Sequence, residues 1–510
     1  MNKTIFRSAS LGAAVAVLAA LPSPARAQQF QQYVALGDSL TAGWQSGCLV
    51  QRNQLTSYPA ALASVLYDGD FEMPLVQEVA LSGSGSPQCL GAVFVPPASL
   101  SVVPMSEMDG PLNALLPRPY NDLGIPGAEV ADLTTLTHGD ANGTDLEKLS
   151  ALILRNVTGS PFDGTSAVNQ AGALLAPAAS AAIATLWIGN NNVLGASTSG
   201  IVVDGVTLVS EADFQASYSA IIAGIPPGVQ LVVANLPDVT SIPFSTTIPP
   251  VLVNPATRQP VIINGAPVPL LGPGDSAYPC TPEPPDHGCA LPAGSLVNLP
   301  ASSLLAQGVG IPVAAGGTGL PLPHGSIDAN GAHPGVVLYP DDIALLQERE
   351  GQYNSVIANS SGDAVLVDTH ARFNEISQRG YSLGGITLTT SFLTGGIFSY
   401  DGVHPSTIGY TIVASEFINA INAQTSSSFR QPDFATALYT PNPPDPGTGG
   451  NLVAGGPWHY TFDMWKDVMA STVSPRVMQV TMPSAPAAPR MVPAPPASRP
   501  TRTVGRHVED

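Results

Sequence analysis

Four short apolar runs constrain this chain more than any other feature: Tyr33–Leu36 (YVAL), Ile183–Ile188 (IATLWI), Gln230–Ala234 (QLVVA) and Ala364–Val367 (AVLV). Runs this short, rich in β-branched residues and bounded by Gly, Asn or Asp, read as buried strands. Helical patterns lie between them. Ser210 caps a segment that sets Phe214, Tyr218 and Ile221 on one face, and Tyr410 to Asn422 carries Val413, Phe417 and Ile421 at helical spacing. Strands alternating with helices predict an α/β fold whose parallel sheet is covered on both faces. The hydrophobic fraction of 44% is enough for such a core.

Composition removes several alternatives. Charged residues make up only 11% of the chain, against roughly 25% in ordinary globular proteins. The net charge is −19, and Lys3, Lys148 and Lys466 are the only lysines. Binding a nucleic acid needs clustered Lys and Arg to neutralise phosphate, so it is excluded as the main partner. Gly (50) and Pro (51) are abundant, but no strict glycine triplet or sustained heptad runs through them, which excludes collagen and coiled coil.

Residues 1–27 read as a secretory signal: Lys3 and Arg7, then the apolar stretch Leu11 to Leu21, then Ala25-Arg26-Ala27 as a small-residue cleavage site. That stretch is too short to span a bilayer core, which needs about 20 residues. No later run reaches that length either, so the expected location is secreted or periplasmic, with cleavage after Ala27. Four cysteines fit an oxidising compartment: Cys48, Cys89, Cys280 and Cys289. They allow three pairings. The short loop in YPCTPEPPDHGC favours Cys280–Cys289, which leaves Cys48–Cys89.

Two stretches depart from the alternating pattern. Residues 243–340 hold nineteen prolines, so the span of about 241–340 reads as a loop-rich insertion, with a hairpin at Asn264-Gly265. A second two-residue hairpin is expected within Val202–Thr207. Beyond Thr425 the composition shifts again: residues 483–500 hold seven prolines with Ala and Ser. The division expected is a domain over 28–425 and a Pro/Ala-rich, largely disordered tail over 426–510. The tail aromatics Trp458, Tyr460, Phe462 and Trp465 read as docking onto the body, with peripheral lipid contact as the alternative.

The chemistry is carried by four segments. The first strand runs directly into Gly37-Asp38-Ser39-Leu40. A serine at the carboxyl end of a parallel strand lies in the crevice where open α/β sheets bind ligands. It needs a base to become a nucleophile. The tripeptide recurs at Gly274-Asp275-Ser276, but there prolines and glycines replace the strand, and Ser276 reads as a turn residue. A base appears at Asp401-Gly-Val-His404-Pro405. Pro405 biases His404 toward extended backbone, and Ser406 can cap the helix that follows. One loop then holds an imidazole and the carboxylate that fixes its tautomer. Asn121-Asp-Leu-Gly-Ile-Pro-Gly127 and Trp187-Ile-Gly189-Asn-Asn191-Asn192 supply candidate oxyanion donors, a glycine N–H and an amide. Asp140-Ala-Asn142-Gly143-Thr-Asp145 begins like a calcium loop, but its misplaced glycine and missing glutamate make it a polar turn.

In this order the four segments resemble the SGNH (GDSL) hydrolase family, in its secreted bacterial lipase/esterase form. Asn235-Leu-Pro-Asp-Val-Thr-Ser-Ile-Pro-Phe244 is similar to a stretch of those lipases. The resemblance covers roughly residues 30 to 425. It implies a flavodoxin-like three-layer α/β/α sandwich around a parallel sheet. It also implies Ser39 as nucleophile, His404 as base and Asp401 as its orienter. Gly127, Asn191 and the Ser39 backbone N–H would form the oxyanion hole. The implied activity is ester hydrolysis through an acyl-enzyme, with no metal or other cofactor. Lipid or acyl esters come first as substrate and O-acetyl groups of glycans second, with a non-catalytic binding protein a more distant reading. Two departures stand out: Asn192 replaces the family's aspartate after the catalytic asparagine, and Thr41 stands where serine is common.

Overall fold

A computed structural model of the chain describes residues 29–76, 111–140, 143–156, 159–254, 257 and 259–439. The signal segment, Cys89 and the tail aromatics lie outside them. Each expected apolar run is a strand of one central sheet: β1 (Gln32–Gly37), β3 (Ala182–Trp187), β4 (Gln230–Ala234) and β5 (Val365–Val367). A three-residue strand, β2 (Asp122–Gly124), completes it. All neighbours pair in parallel, in the order 2-1-3-4-5. That order is flavodoxin-like, and it reverses direction between β1 and β3.

Strand pleating sorts side chains to opposite faces. Tyr33, Ala35, Ile183, Trp187, Val232 and Val365 face one layer, formed by the helices Tyr58–Leu66 and Thr407–Thr425. There Tyr58 stacks on Phe417 with ring centroids 5.0 Å apart. Val34, Leu36, Ala184, Leu186 and Val233 face the other layer, which includes Ala167–Leu175, Glu211–Gly224 and Pro340–Ser360. Phe214 and Tyr353 stack across it at 4.0 Å. Burying each large apolar side chain contributes about 1.5–3 kcal/mol. The three-layer α/β/α sandwich follows from these two apolar faces.

The insertion carries a small core of its own, including Leu270, Leu291, Val297, Leu322 and Tyr339. Cys280 and Cys289 are disulfide-bonded there, with Cα atoms 6.1 Å apart. Asn264 and Gly265 (φ 52° and 81°) turn the hairpin Ile262–Ile263/Ala266–Pro267. The hairpin expected within Val202–Thr207 does not form. Val206 and Thr207 both donate to the Val203 carbonyl, while Thr207 Oγ1 donates to Ile201 O at 2.7 Å. Asp204 is drawn to Arg349, at 2.6 Å, so the segment closes as a coil against the long helix Pro340–Ser360. Residues 426–439, placed in the tail by composition, continue along the body. Phe429 is buried against the sheet-covering layer, and Phe434–Tyr439 is helical.

Candidate active site

Strand register builds the site. Gly37, the last residue of β1, pairs with Gly124 of β2 and with Trp187 of β3. The loops that follow these three strands therefore leave the sheet side by side at its order reversal. Close packing there needs glycine. A Cβ at Gly37 would lie 2.1 Å from Thr41 Oγ1, and one at Gly124 would lie 2.4 Å from the Ala42 nitrogen. The absent side chains let the short helix Ser39–Ala42 settle on the strand ends. Asp38 caps that helix, accepting from Leu40 N at 2.9 Å, and Gly43 (φ 83°) ends it. Thr41 Oγ1 lies 2.9 Å from the Tyr58 hydroxyl, so threonine at this position is tied into the helical layer beneath.

Ser39 Oγ lies 2.9 Å from His404 Nε2, and His404 Nδ1 lies 2.9 Å from Asp401 Oδ2. All three side chains are buried. An ionised carboxylate only accepts hydrogen bonds, so Nδ1 carries the imidazole proton and Nε2 is left to accept from the serine. Burial pushes the Asp401 carboxyl upward, but the His404 ring and the hydrogen bonds to the carboxylate outweigh it and hold the group below its ordinary range. Two of those bonds are local, from Val403 N (2.9 Å) and His404 N (2.8 Å). The loop is pinned at its ends: Ser399 N donates to His404 O, and Ser406 N to Ile397 O, each at 2.8 Å. Ser406 caps the helix Thr407–Thr425 through Gly409 N.

The candidate oxyanion donors stand on the neighbouring loops. Ile125 N donates to Gly37 O at 3.0 Å, which brings the Ile125–Gly127 turn beside the Ser39 loop. Gly127 takes φ 82°, a left-handed conformation that favours glycine. Asn191 begins the helix Asn191–Ser199, and its Nδ2 donates to Ala128 O at 2.9 Å. The amide nitrogen has two hydrogens, so this bond orients the group and leaves the second as the candidate donor. Asn192, which replaces an aspartate, accepts from Val130 N at 3.2 Å. A carboxylate could accept there equally well, so the amide keeps the acceptor that an aspartate would offer.

A side chain of negatively charged type that can only accept, beside an imidazole within reach of a buried serine, is the arrangement by which a weak hydroxyl nucleophile becomes reactive. Residues 33–417 match the family model for GDSL-like lipase/acylhydrolase. The chain belongs to that family. No curated protein and no solved structure matched it. As a GDSL-family chain it is an ester hydrolase by class, acting on a small-molecule ester. Among the described residues, no helix is long and apolar enough to cross a membrane.

Several contacts at this GDSL site were not signalled by sequence motifs. Asn190 Nδ2 donates to Asp38 Oδ2 at 3.0 Å, bridging the β1 and β3 loops. Gly47 N donates to Asp401 Oδ2 at 3.0 Å, although 354 residues separate them in sequence. The Asn235–Phe244 stretch leaves β4 and crosses to the His404 loop, where Phe244 N donates to Gly402 O at 2.9 Å. None of these has a local pattern, because each joins elements distant in sequence. Ser276 lies on an exposed turn in which Tyr278 N donates to Asp275 Oδ1 at 2.6 Å, away from this cluster. Cys48 lies in the turn next to Asp401, and its expected partner Cys89 falls outside the described residues.

Proposed function

We propose that this GDSL-family chain is an exported serine carboxylic-ester hydrolase that cleaves lipid or other acyl esters. The observation that carries the reading is the unbroken hydrogen-bonded series from Ser39 Oγ through His404 to Asp401. Ser39 Oγ attacks the ester carbonyl carbon while its proton passes to His404 Nε2. Asp401 keeps the other ring nitrogen protonated and offsets the imidazolium charge. The carbonyl oxygen, now an oxyanion, accepts from the Ser39 and Gly127 backbone N–H groups and from the Asn191 amide. His404 returns the proton to the departing alcohol, leaving an acyl-enzyme on Ser39. Water activated by the same imidazole then releases the acid.

Export is supported by the signal pattern of residues 1–27 and by the Cys280–Cys289 disulfide. Acyl preference is supported by the family and by the apolar, proline-rich insertion, which reaches the His404 loop through Phe244.

The test is a series of p-nitrophenyl esters from acetate to palmitate, run with wild type and Ser39→Ala. Wild type should prefer chains longer than acetate, and Ser39→Ala should lose about 10³-fold or more in kcat. Activity confined to acetate, with acetate released from acetylated xylan, would sink the acyl-ester reading in favour of a glycan deacetylase. Equal turnover by the two proteins would sink the role of Ser39.

A further inference from the structure

Asp401 accepts five hydrogen bonds, and two of them come from outside its own turn with His404. Oδ1 accepts from Val403 N, His404 N and the Ser399 hydroxyl, the last at 3.1 Å. Oδ2 accepts from His404 Nδ1 and from Gly47 N. The direction of the Ser399 bond is determined by its surroundings. Ser399 Oγ already accepts from Ser46 N at 2.9 Å, and its single proton is then free to point at the carboxylate.

Ser46 and Gly47 therefore deliver consecutive backbone N–H groups into one spot, the first to Ser399 and the second to Asp401. They can do so because both are left-handed (φ 53° and 76°). Successive amides in such a turn make a concave anion-binding surface. A non-glycine residue held left-handed is uncommon and costs of the order of 1 kcal/mol, so the surroundings must impose it. Here they do. Ser46 Oγ accepts from Tyr400 N at 3.2 Å, Gln45 and Cys48 exchange two 3.1 Å backbone bonds, and Tyr410 OH donates to Trp44 O at 2.7 Å. Ser46 and Ser399 are both buried, so water does not compete for these bonds.

We propose that Ser399, backed by the Ser46–Gly47 turn, is a positioning residue that holds the Asp401 carboxylate in the plane and orientation His404 needs. The inference rests on the assignment of Asp401 as the orienter of His404. It adds that the orienter is itself aimed by a segment directly following the nucleophile helix. Nucleophile and orienter are thereby built from one folded unit, although they are far apart in sequence. Removing the Ser399 hydroxyl leaves the local bonds from Val403 and His404 in place, so the carboxylate should stay ionised but rotate more freely.

The test is a double-mutant cycle read on p-nitrophenyl butyrate. Ser399→Ala alone should lower kcat about tenfold, close to 1.4 kcal/mol of barrier, with KM within about twofold, while Ser399→Thr retains the hydroxyl and recovers most of the rate. In an Asp401→Asn background, already slowed by about 10³–10⁴, Ser399→Ala should cost less than about twofold more, because the amide oxygen still accepts from Ser399 but no carboxylate is left for that bond to aim at His404. A tenfold loss in both backgrounds, or no loss in either, overturns the inference. If Ser399→Ala fails to fold, Ser399→Cys keeps the volume with a much weaker donor and carries the same comparison. Asp401→Asn at the wild-type rate would instead overturn the assignment of Asp401 itself, so the two failures are told apart.

Discussion

At the scale of single residues the site depends on polar groups placed where water does not reach. Asn191, the proposed oxyanion donor, is the clearest case, since its amide is turned by Ala128 O and keeps one hydrogen unused by that bond. Asn191→Ala should lower kcat by about 10²–10³, as loss of one oxyanion donor does elsewhere. KM for a short ester should change little, because the bond strengthens only as charge develops. Steady-state kinetics on p-nitrophenyl butyrate checks this, and a loss seen in KM alone contradicts it. Asp38 behaves oppositely to Asp401. Burial raises its carboxyl to about 6, despite the opposing bonds from Asn190 and Leu40. A group whose folded-state value is raised stabilises the fold while protonated, and that stabilisation is lost as pH climbs through the folded value. Wild type should therefore lose stability from Asp38 between about pH 4 and pH 6. Asp38→Asn, which cannot ionise, should gain in Tm relative to wild type across that window. A Tm difference that stays flat with pH contradicts the assignment.

At the scale of elements, the decisive fact is that three strand ends are level. Gly124 shows what this demands, because its hydrogen faces the backbone of the short helix that carries Ser39. Gly124→Ala must push that helix away from β2, since backbone cannot swing aside as a side chain can. The expected result is an overpacking cost of about 1–3 kcal/mol together with a loss of kcat, read by urea unfolding and ester turnover. Full activity with unchanged stability would show that the helix has room to move. The same scale explains what the sequence made legible. Strands β1, β3, β4 and β5 are apolar because both sheet faces are covered, so their runs announce them. Strand β2 has only Leu123 between Asp122 and Gly124, and it pairs at the sheet edge, so no run marks it. The Val202–Thr207 segment has the local chemistry of a hairpin turn. Arg349, far along the chain, captures Asp204 and redirects it.

At the scale of the molecule, an α/β/α sandwich carries a proline-rich insertion that is partly self-supporting. Part of its core, around Leu270, Leu291 and Tyr339, clusters separately from the main core, which Phe244, Leu299 and Leu338 join, and the disulfide closes a loop with a separation of nine residues. Cys280→Ser with Cys289→Ser should destabilise the insertion by about 2–3 kcal/mol, on the loop-entropy scale. Turnover of a short soluble ester should stay within about twofold, because no bond in the Ser39–His404–Asp401 series passes through the disulfide. Limited proteolysis of the insertion beside an ester assay checks both parts, and lost turnover with an intact insertion contradicts the separation. By itself the sequence determined the alternation of strands and helices and the turns that present Ser39, His404 and Asp401, because these rest on local periodicity and local backbone preference. Only the tertiary structure decided the strand order and the level register. It also joined Asp38 to Asn190 and Gly47 to Asp401. Those depend on contacts between segments from about 50 to 354 residues apart, and such contacts leave no pattern along the chain.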